Sequence, residues 1–185
     1  MKILYAASEV APFIKTGGLG DVAGSLPKAL AAKGHEVAVI CPLYCQIKPE
    51  WRDKMYYLRN LYVQVAWRSQ YCGIFVYEAD GVKYYFLDNE YYFARNSVYG
   101  EYDDAERFAF FSRAILEMLP AIDFHPYVIN WITTAVLGTA TSRPSLRFTT
   151  SSSRVSTAAK FWTTFWALMT ITSRTALCSR TAMST

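Results

Sequence analysis

The chain has 185 residues, of which 52% are hydrophobic, 18% charged and 16% aromatic, enough to bury one sizeable core and to exclude wholesale disorder. The formal charge of +4 suggests a basic protein, but it is unevenly spread. Up to Asp123 there are 13 basic and 15 acidic residues, a charge of −2, whereas from Phe124 onward there are 6 basic residues and no acid.

Lys2 to Ala7 is a short apolar run that predicts a buried strand. The run is too short for a secretory h-region and meets an acid at Glu9, and no stretch approaches the ~20 apolar residues of a membrane span. A loop follows through Pro12, then the segment Lys15-Thr16-Gly17-Gly18-Leu19-Gly20-Asp21. Val22, Leu26 and Leu30 recur at helical spacing. Pro27 among them predicts two short helical pieces or a kink, and Gly34 a stop. His35 to Pro42 predicts a second buried strand. Strand, glycine-rich turn, helix and strand in this order make a βαβ unit and a parallel sheet.

From Tyr57 to Asp88 the chain becomes β-branched and aromatic. Strands are expected over 61–65, 74–77 and 82–87, with Asp80-Gly81 as a hairpin turn. Asp103 or Asp104 can cap a helix with Phe108, Phe111, Ile115 and Met118 on one face, and Pro120 can end it. Tyr127 to Asn130 fits another short buried strand. Beyond Asn130 periodicity weakens, and Phe161 to Met169 is the only strongly apolar stretch.

Four cysteines form no dense framework, and Cys41-x3-Cys45 lacks a second pair of ligands, so free or buried thiols are expected rather than a metal site. The Lys15–Asp21 segment carries the chemistry. Its glycines permit a sharp turn and close approach to a ligand. It ends where a helix begins, so free N–H groups and the helix dipole favour an anion such as phosphate, with Lys15 adding a point charge. Asp21 falls in the first helical turn. On residue chemistry alone, a plain glycine-rich connector with a solvated lysine stands level with that reading, since the spacing is neither a dinucleotide fingerprint nor a phosphate loop of the Walker kind.

The opening K-I-L-Y-A-A-S-E-V-A-P-F-I-K-T-G-G-L-G-D resembles the start of bacterial glycogen synthases and plant starch synthases. H-E-V-A-V-I-C-P-L-Y and Y-G-E-Y-D-D-A-E-R-F-A-F-F-S-R-A-I-L-E extend the resemblance over about residues 1 to 130. It implies an α/β, Rossmann-like N-terminal domain of a two-domain glycosyltransferase of the GT-B type. The implied reaction moves glucose from ADP-glucose to the non-reducing end of an α-1,4-glucan with retention, in the cytoplasm. ADP-glucose is the donor substrate, no resident cofactor or metal is implied, and neither nucleic acid nor membrane is a partner. Carried over residue by residue, Lys15 matches the lysine that contacts the donor phosphates, Gly17 and Gly18 match its loop, and Asp21 matches an acid at the cleft. Tyr99 matches a tyrosine near the sugar. Arg107 and Phe108 match a structural helix.

The resemblance stops at Pro126-Tyr127-Val128-Ile129-Asn130-Trp131. The family continues from P-D-V-I-N into N-D-W-H, and the histidine that reaches the sugar has no counterpart here. From Thr133 onward, 23 of 53 residues are Ser or Thr, a composition foreign to the preceding domain. Back-translating from Thr141 and shifting by two bases permits I-K-T-V-L-T-I-H-N-I-E-F-Q-G-I-Y-G, which again looks like the family. The expectation is a truncated glucan-side domain over 1–130 and an out-of-frame, largely irregular tail over 131–185. Such a chain is expected to lack transferase activity. The alternative is a non-catalytic glucan- or partner-binding module, in which the aromatics around Trp51 to Tyr57 and Tyr91 to Phe93 stack on sugars, although core and rim packing is the leading expectation for them.

Overall fold

The structure, a computed structural model, describes residues 1–132. The expectations for the tail, its apolar stretch at 161–169 and Cys178 lie outside the described residues. Strand β1 spans Lys2–Ala7, as its apolar run predicts. Helix α1 covers Gly18–Ala32, and β2 covers Glu36–Pro42. A short helix α2 (Pro49–Arg52) leads to β3 (Tyr56–Val65), β4 (Arg68–Ala79) and β5 (Val82–Asp88). A single turn, α3 (Glu90–Phe93), precedes α4 (Asp104–Met118), a 3₁₀ turn at Leu119–Ala121 and β6 (Val128–Ile132).

The six strands form one mixed sheet in the order β3-β4-β5-β2-β1-β6. β5, β2, β1 and β6 run parallel, while β4 pairs antiparallel with both β3 and β5. The α/β expectation holds, with an antiparallel hairpin added at one edge. The connection from β1 through α1 steps to β2 on one side of β1, and that from β5 through α4 steps to β6 on the other. Right-handed crossovers in opposite directions place the two helices on opposite faces. Packing agrees: Phe13, in the loop before α1, meets Tyr84 and Phe86 of β5 at 5.1 and 5.0 Å, whereas the Arg59 guanidinium of β3 donates to the Ala121 carbonyl just beyond α4. The parallel strands are covered on both faces, and Leu4, Ala6, Val39 and Ile40 are fully buried.

Two of three local expectations meet their geometry. Gly34 adopts φ +82°, its N–H reaches the Ala31 carbonyl, and the His35 N–H reaches that of Leu30. Together these bonds form a Schellman stop. Asp80 and Gly81 both have positive φ, as a two-residue hairpin turn requires. Asp103 stands at the N-cap of α4, but its side chain makes no capping bond; it pairs with Arg95 at 2.8 Å instead.

Pro27 departs from expectation. It lies inside one continuous helix instead of dividing it in two. Pro27 is itself buried, so the packing of α1 on β1 and β2 outweighs the one hydrogen bond its ring removes.

Candidate functional site

In a parallel sheet, ligands gather at the carboxyl ends of the strands, where neighbouring connections diverge. Here that point is the end of β1, flanked by β2 and β6. The loop after β1 is tied down rather than free. Val10 and Ile14 bridge, and the Ala11 N–H bonds to the Gly20 carbonyl at 3.0 Å, locking the loop to the first turn of α1. At Gly24 an added Cβ would lie 2.5 Å from the Ala11 carbonyl oxygen, so only glycine lets the helix approach this closely.

The loop delivers Lys15 beside the start of α1. Its ammonium lies 2.8 Å from Asp21 Oδ2, and both side chains are about half exposed. The structure therefore brings two of the sequence-derived site residues into direct contact. An exposed pair of this kind is worth only about 0–1 kcal/mol, so an arriving anion can draw Lys15 away from Asp21 at little cost. The N-terminus of α1 has no side-chain cap, which leaves its first N–H groups free for a ligand.

The glycines serve packing and access rather than turning. None of Gly17, Gly18 and Gly20 has a positive φ, and Gly17 is simply extended. An added Cβ at Gly20 would press on the Lys15 side chain at 3.1 Å, so this glycine seats the lysine stem. At Gly17 and Gly18 nothing lies within 4 Å of an added Cβ. The loop surface is open there.

Tyr99 reaches the same strand end from the other side of the chain. Its hydroxyl lies 2.6 Å from Ser8 Oγ, and its ring packs on Phe108 at 5.8 Å. Burial pushes the phenol well above its usual range, opposed by the Ser8 hydrogen bond and reinforced by nearby Glu9. Tyr99 is thus a neutral hydroxyl at physiological pH, able to donate or accept a hydrogen bond.

Glu9 links the two groups, and sequence reasoning had given it no role. It is 2% exposed, and its Oε2 accepts from both the backbone N–H and the hydroxyl of Thr16. The carboxylate therefore braces the turn that presents Lys15. The available signal was an acid directly after a buried strand of a parallel sheet. Arg107, assigned to a structural helix, is fully buried and donates to the Tyr92 carbonyl at 2.6 Å and to Asp104 at 2.7 Å.

The structure divides the two groups of aromatics for which packing is the leading expectation and sugar stacking the alternative. Tyr92 and Phe93 are fully buried, and Trp51 packs edge-on against Phe13 at 5.1 Å. Tyr92 and Phe93 belong to the core, where Phe110 of α4 packs on them, and Trp51 is partly buried against it. Tyr56, Tyr57 and Tyr91 remain about half exposed. Among the described residues, no group of three or more His, Cys, Asp or Glu could hold a metal ion, and no helix is long and apolar enough to cross a membrane.

A lysine and an open glycine pair at the first strand–helix turn is a site that can be compared across proteins. The family model for the starch synthase catalytic domain matches residues 2–149. The chain belongs to the starch synthase catalytic domain family. It is 58% identical over 130 residues to the glycogen synthase of Clostridium botulinum (strain Eklund 17B / Type B), a stretch covering 70% of this chain and 27% of that protein. It is 53% identical over 142 residues to the glycogen synthase of Bacillus subtilis (strain 168), covering 71% and 29%. The solved catalytic domain of starch synthase IV from Arabidopsis thaliana, bound to ADP and acarbose, matches with a TM-score of 0.63 at 33% identity, over 70% of this chain and 27% of that one. The chain thus spans little more than a quarter of its starch synthase family relatives.

Proposed function

We propose that this chain carries the glucan-side half of a retaining glucosyltransferase that uses ADP-glucose to extend the non-reducing end of an α-1,4-glucan. The observation that carries the reading is Lys15 held by a weak exposed pair beside the uncapped start of α1, in a member of the starch synthase family. A donor diphosphate would replace Asp21 as the partner of Lys15 and take the free N–H groups of α1. Gly17 and Gly18 leave room for it. Asp21 holds Lys15 in place while the site is empty. Tyr99, neutral and bonded to Ser8, offers a hydroxyl to the sugar. That the solved relative was bound to ADP and acarbose supports a nucleotide-linked donor and a glucan acceptor for this reading. A cytosolic setting goes with this reading, with no resident cofactor and no nucleic-acid or membrane partner.

Retaining transfer needs reacting groups aligned from both walls of a cleft. A polypeptide limited to these 185 residues holds one wall. Incubated with radiolabelled ADP-glucose and glycogen, it is expected to incorporate no label, and incorporation would overturn this half of the reading. The segment 131–185 is read out of frame in the same proposal. The coding DNA tests it: a family-like alternative frame over the tail supports the proposal, and its absence refutes it.

A further inference from the structure

Tyr99 lies in the loop between α3 and α4, and the first turn of α4 fastens that loop. Gly100 turns the chain back directly after Tyr99 at φ +90°, and its N–H donates to Asp104 Oδ2 at 2.7 Å. The other oxygen of the same carboxylate, Oδ1, accepts from Arg107 Nη1 at 2.7 Å. Arg107 is anchored in turn through its Nε, which donates to the Tyr92 carbonyl of α3 at 2.6 Å. Its guanidinium lies against two rings, Phe93 at 5.9 Å and Phe108 at 5.5 Å. Phe108 is the ring on which Tyr99 packs.

We propose that Asp104 and Arg107 form a positioning pair for Tyr99, fixing from behind the hydroxyl that meets Ser8 at the end of β1. Both residues act through Tyr99. Asp104 fixes the backbone one residue beyond it, and Arg107 fixes the ring against which it packs. The planar fork of a guanidinium suits this task, because two of its nitrogens address α3 and α4 from fixed directions. A lysine, a point charge on a flexible stem, does not hold both bonds in register. That the placed hydroxyl serves the sugar rests on the function proposed above.

Stability alone is a poor reason for a charge at this place. The Arg107 side chain is fully buried while that of Asp104 is 31% exposed, so the guanidinium gives up its hydration for a partner that keeps part of its own. Its third nitrogen, Nη2, has no hydrogen-bond partner among the described residues. Nor has the hydroxyl of fully buried Tyr44, whose ring stands edge-on to Phe93 at 5.5 Å. A buried donor left unpaired costs free energy. A well-packed apolar side chain often serves stability as well as a buried ion pair does. What the pair supplies is direction. The other ties of this loop run from Arg95 to Asp103 and from Ser97 to Glu101. Among the described residues, it is the Asp104 side chain that bonds to the backbone next to Tyr99.

The test is nitration of the 185-residue chain by tetranitromethane, read for each tyrosine by peptide mass spectrometry. Tyr62 and Tyr102, 67% and 86% exposed, are the reactive references, and buried Tyr84 is the protected one. Tyr99 is expected to react slowly in the unaltered chain. Asp104→Ala, a change at a partly exposed position, is expected to speed the nitration of Tyr99 at least tenfold and to leave Tyr84 protected. Arg107→Lys, which keeps the charge but not the fork, is expected to speed it as well. Asp104→Ala decides alone if Arg107→Lys does not fold. The proposal is overturned if Tyr99 of the unaltered chain reacts as fast as Tyr102, or if Asp104→Ala leaves its rate unchanged. It is overturned equally if Tyr84 rises in step with Tyr99 in Asp104→Ala, which marks a general loosening, or if Arg107→Lys folds and keeps Tyr99 protected. ADP-glucose is not used, so the placement of Tyr99 and its contact with the sugar stand or fall separately.

Discussion

The parallel strands and the β3–β4 hairpin share one sheet but solve different problems. Strands β1, β2 and β5 are buried on both faces, so their side chains are spent on the core, and polar groups gather at the end of β1, at Ser8, Glu9 and the Lys15 loop. The hairpin is sealed on one face by α4, and the other displays tyrosines to solvent. Polar groups therefore gather at an edge in one region, and exposed aromatic rings on a face in the other. A sheet with helices on both sides can expose function only where a connection ends or a helix is missing.

Four substitutions probe this contrast. Phe13 stitches the regions together, meeting Trp51, Tyr77, Tyr84 and Phe86 at 5.0–5.4 Å while 5% exposed. Phe13→Ala is expected to cost about 3–5 kcal/mol in urea unfolding, the largest effect. A cost near that of an exposed tyrosine would show that the two regions do not share one core. Gly24→Ala drives a methyl into the Ala11 carbonyl. About 1–3 kcal/mol of destabilisation is expected, with faster amide exchange in the 10–20 loop. Unchanged exchange would mean that the loop is held without α1.

The remaining two are small. Lys15→Ala breaks an exposed pair and should change stability by less than about 1 kcal/mol, as functional rather than structural residues do. A larger loss in the same urea experiment would make Lys15 part of the framework. Asp88, on the hairpin side, has its carboxyl pushed up, first by burial and then by Glu90, with Arg52 opposing. The folded chain keeps this proton to higher pH than the unfolded chain does. The group's contribution is therefore fully present below the unfolded carboxylate range and is lost as pH rises through the raised folded value. Asp88→Asn should slightly stabilise the chain at neutral pH and flatten its stability–pH curve. A steeper curve in the variant would reverse the assignment.

How legible each region was follows from the same contrast. β1 was readable to the residue because a strand buried on both faces is an unbroken apolar run. β3 and β4 were found shorter than they are, 61–65 and 74–77 against Tyr56–Val65 and Arg68–Ala79. Their extra residues include Arg59, Asn60, Ser69 and Gln70, whose polarity hides a strand that is bare on one side. The turn between them, Ala66-Trp67, carries no Gly or Asn, and Ala66 still adopts φ +53°. In the site, Lys15 and Asp21 were legible through a short local segment. Glu9 was not, because its partner Thr16 meets it only after the loop closes.

The sequence by itself determined the family, the βαβ opening, the helix stop at Gly34 and the place of the Lys15 loop, all of which rest on contiguous residues. Only the tertiary structure decided that Pro27 stays inside one helix, that Lys15 is held by Asp21, that Glu9 braces its turn and that Tyr57, Tyr62 and Tyr71 share an open face. The physical reason is common to them. Each depends on which surfaces are covered or brought together at a distance, and coverage is a property of packed elements rather than of neighbours in the chain.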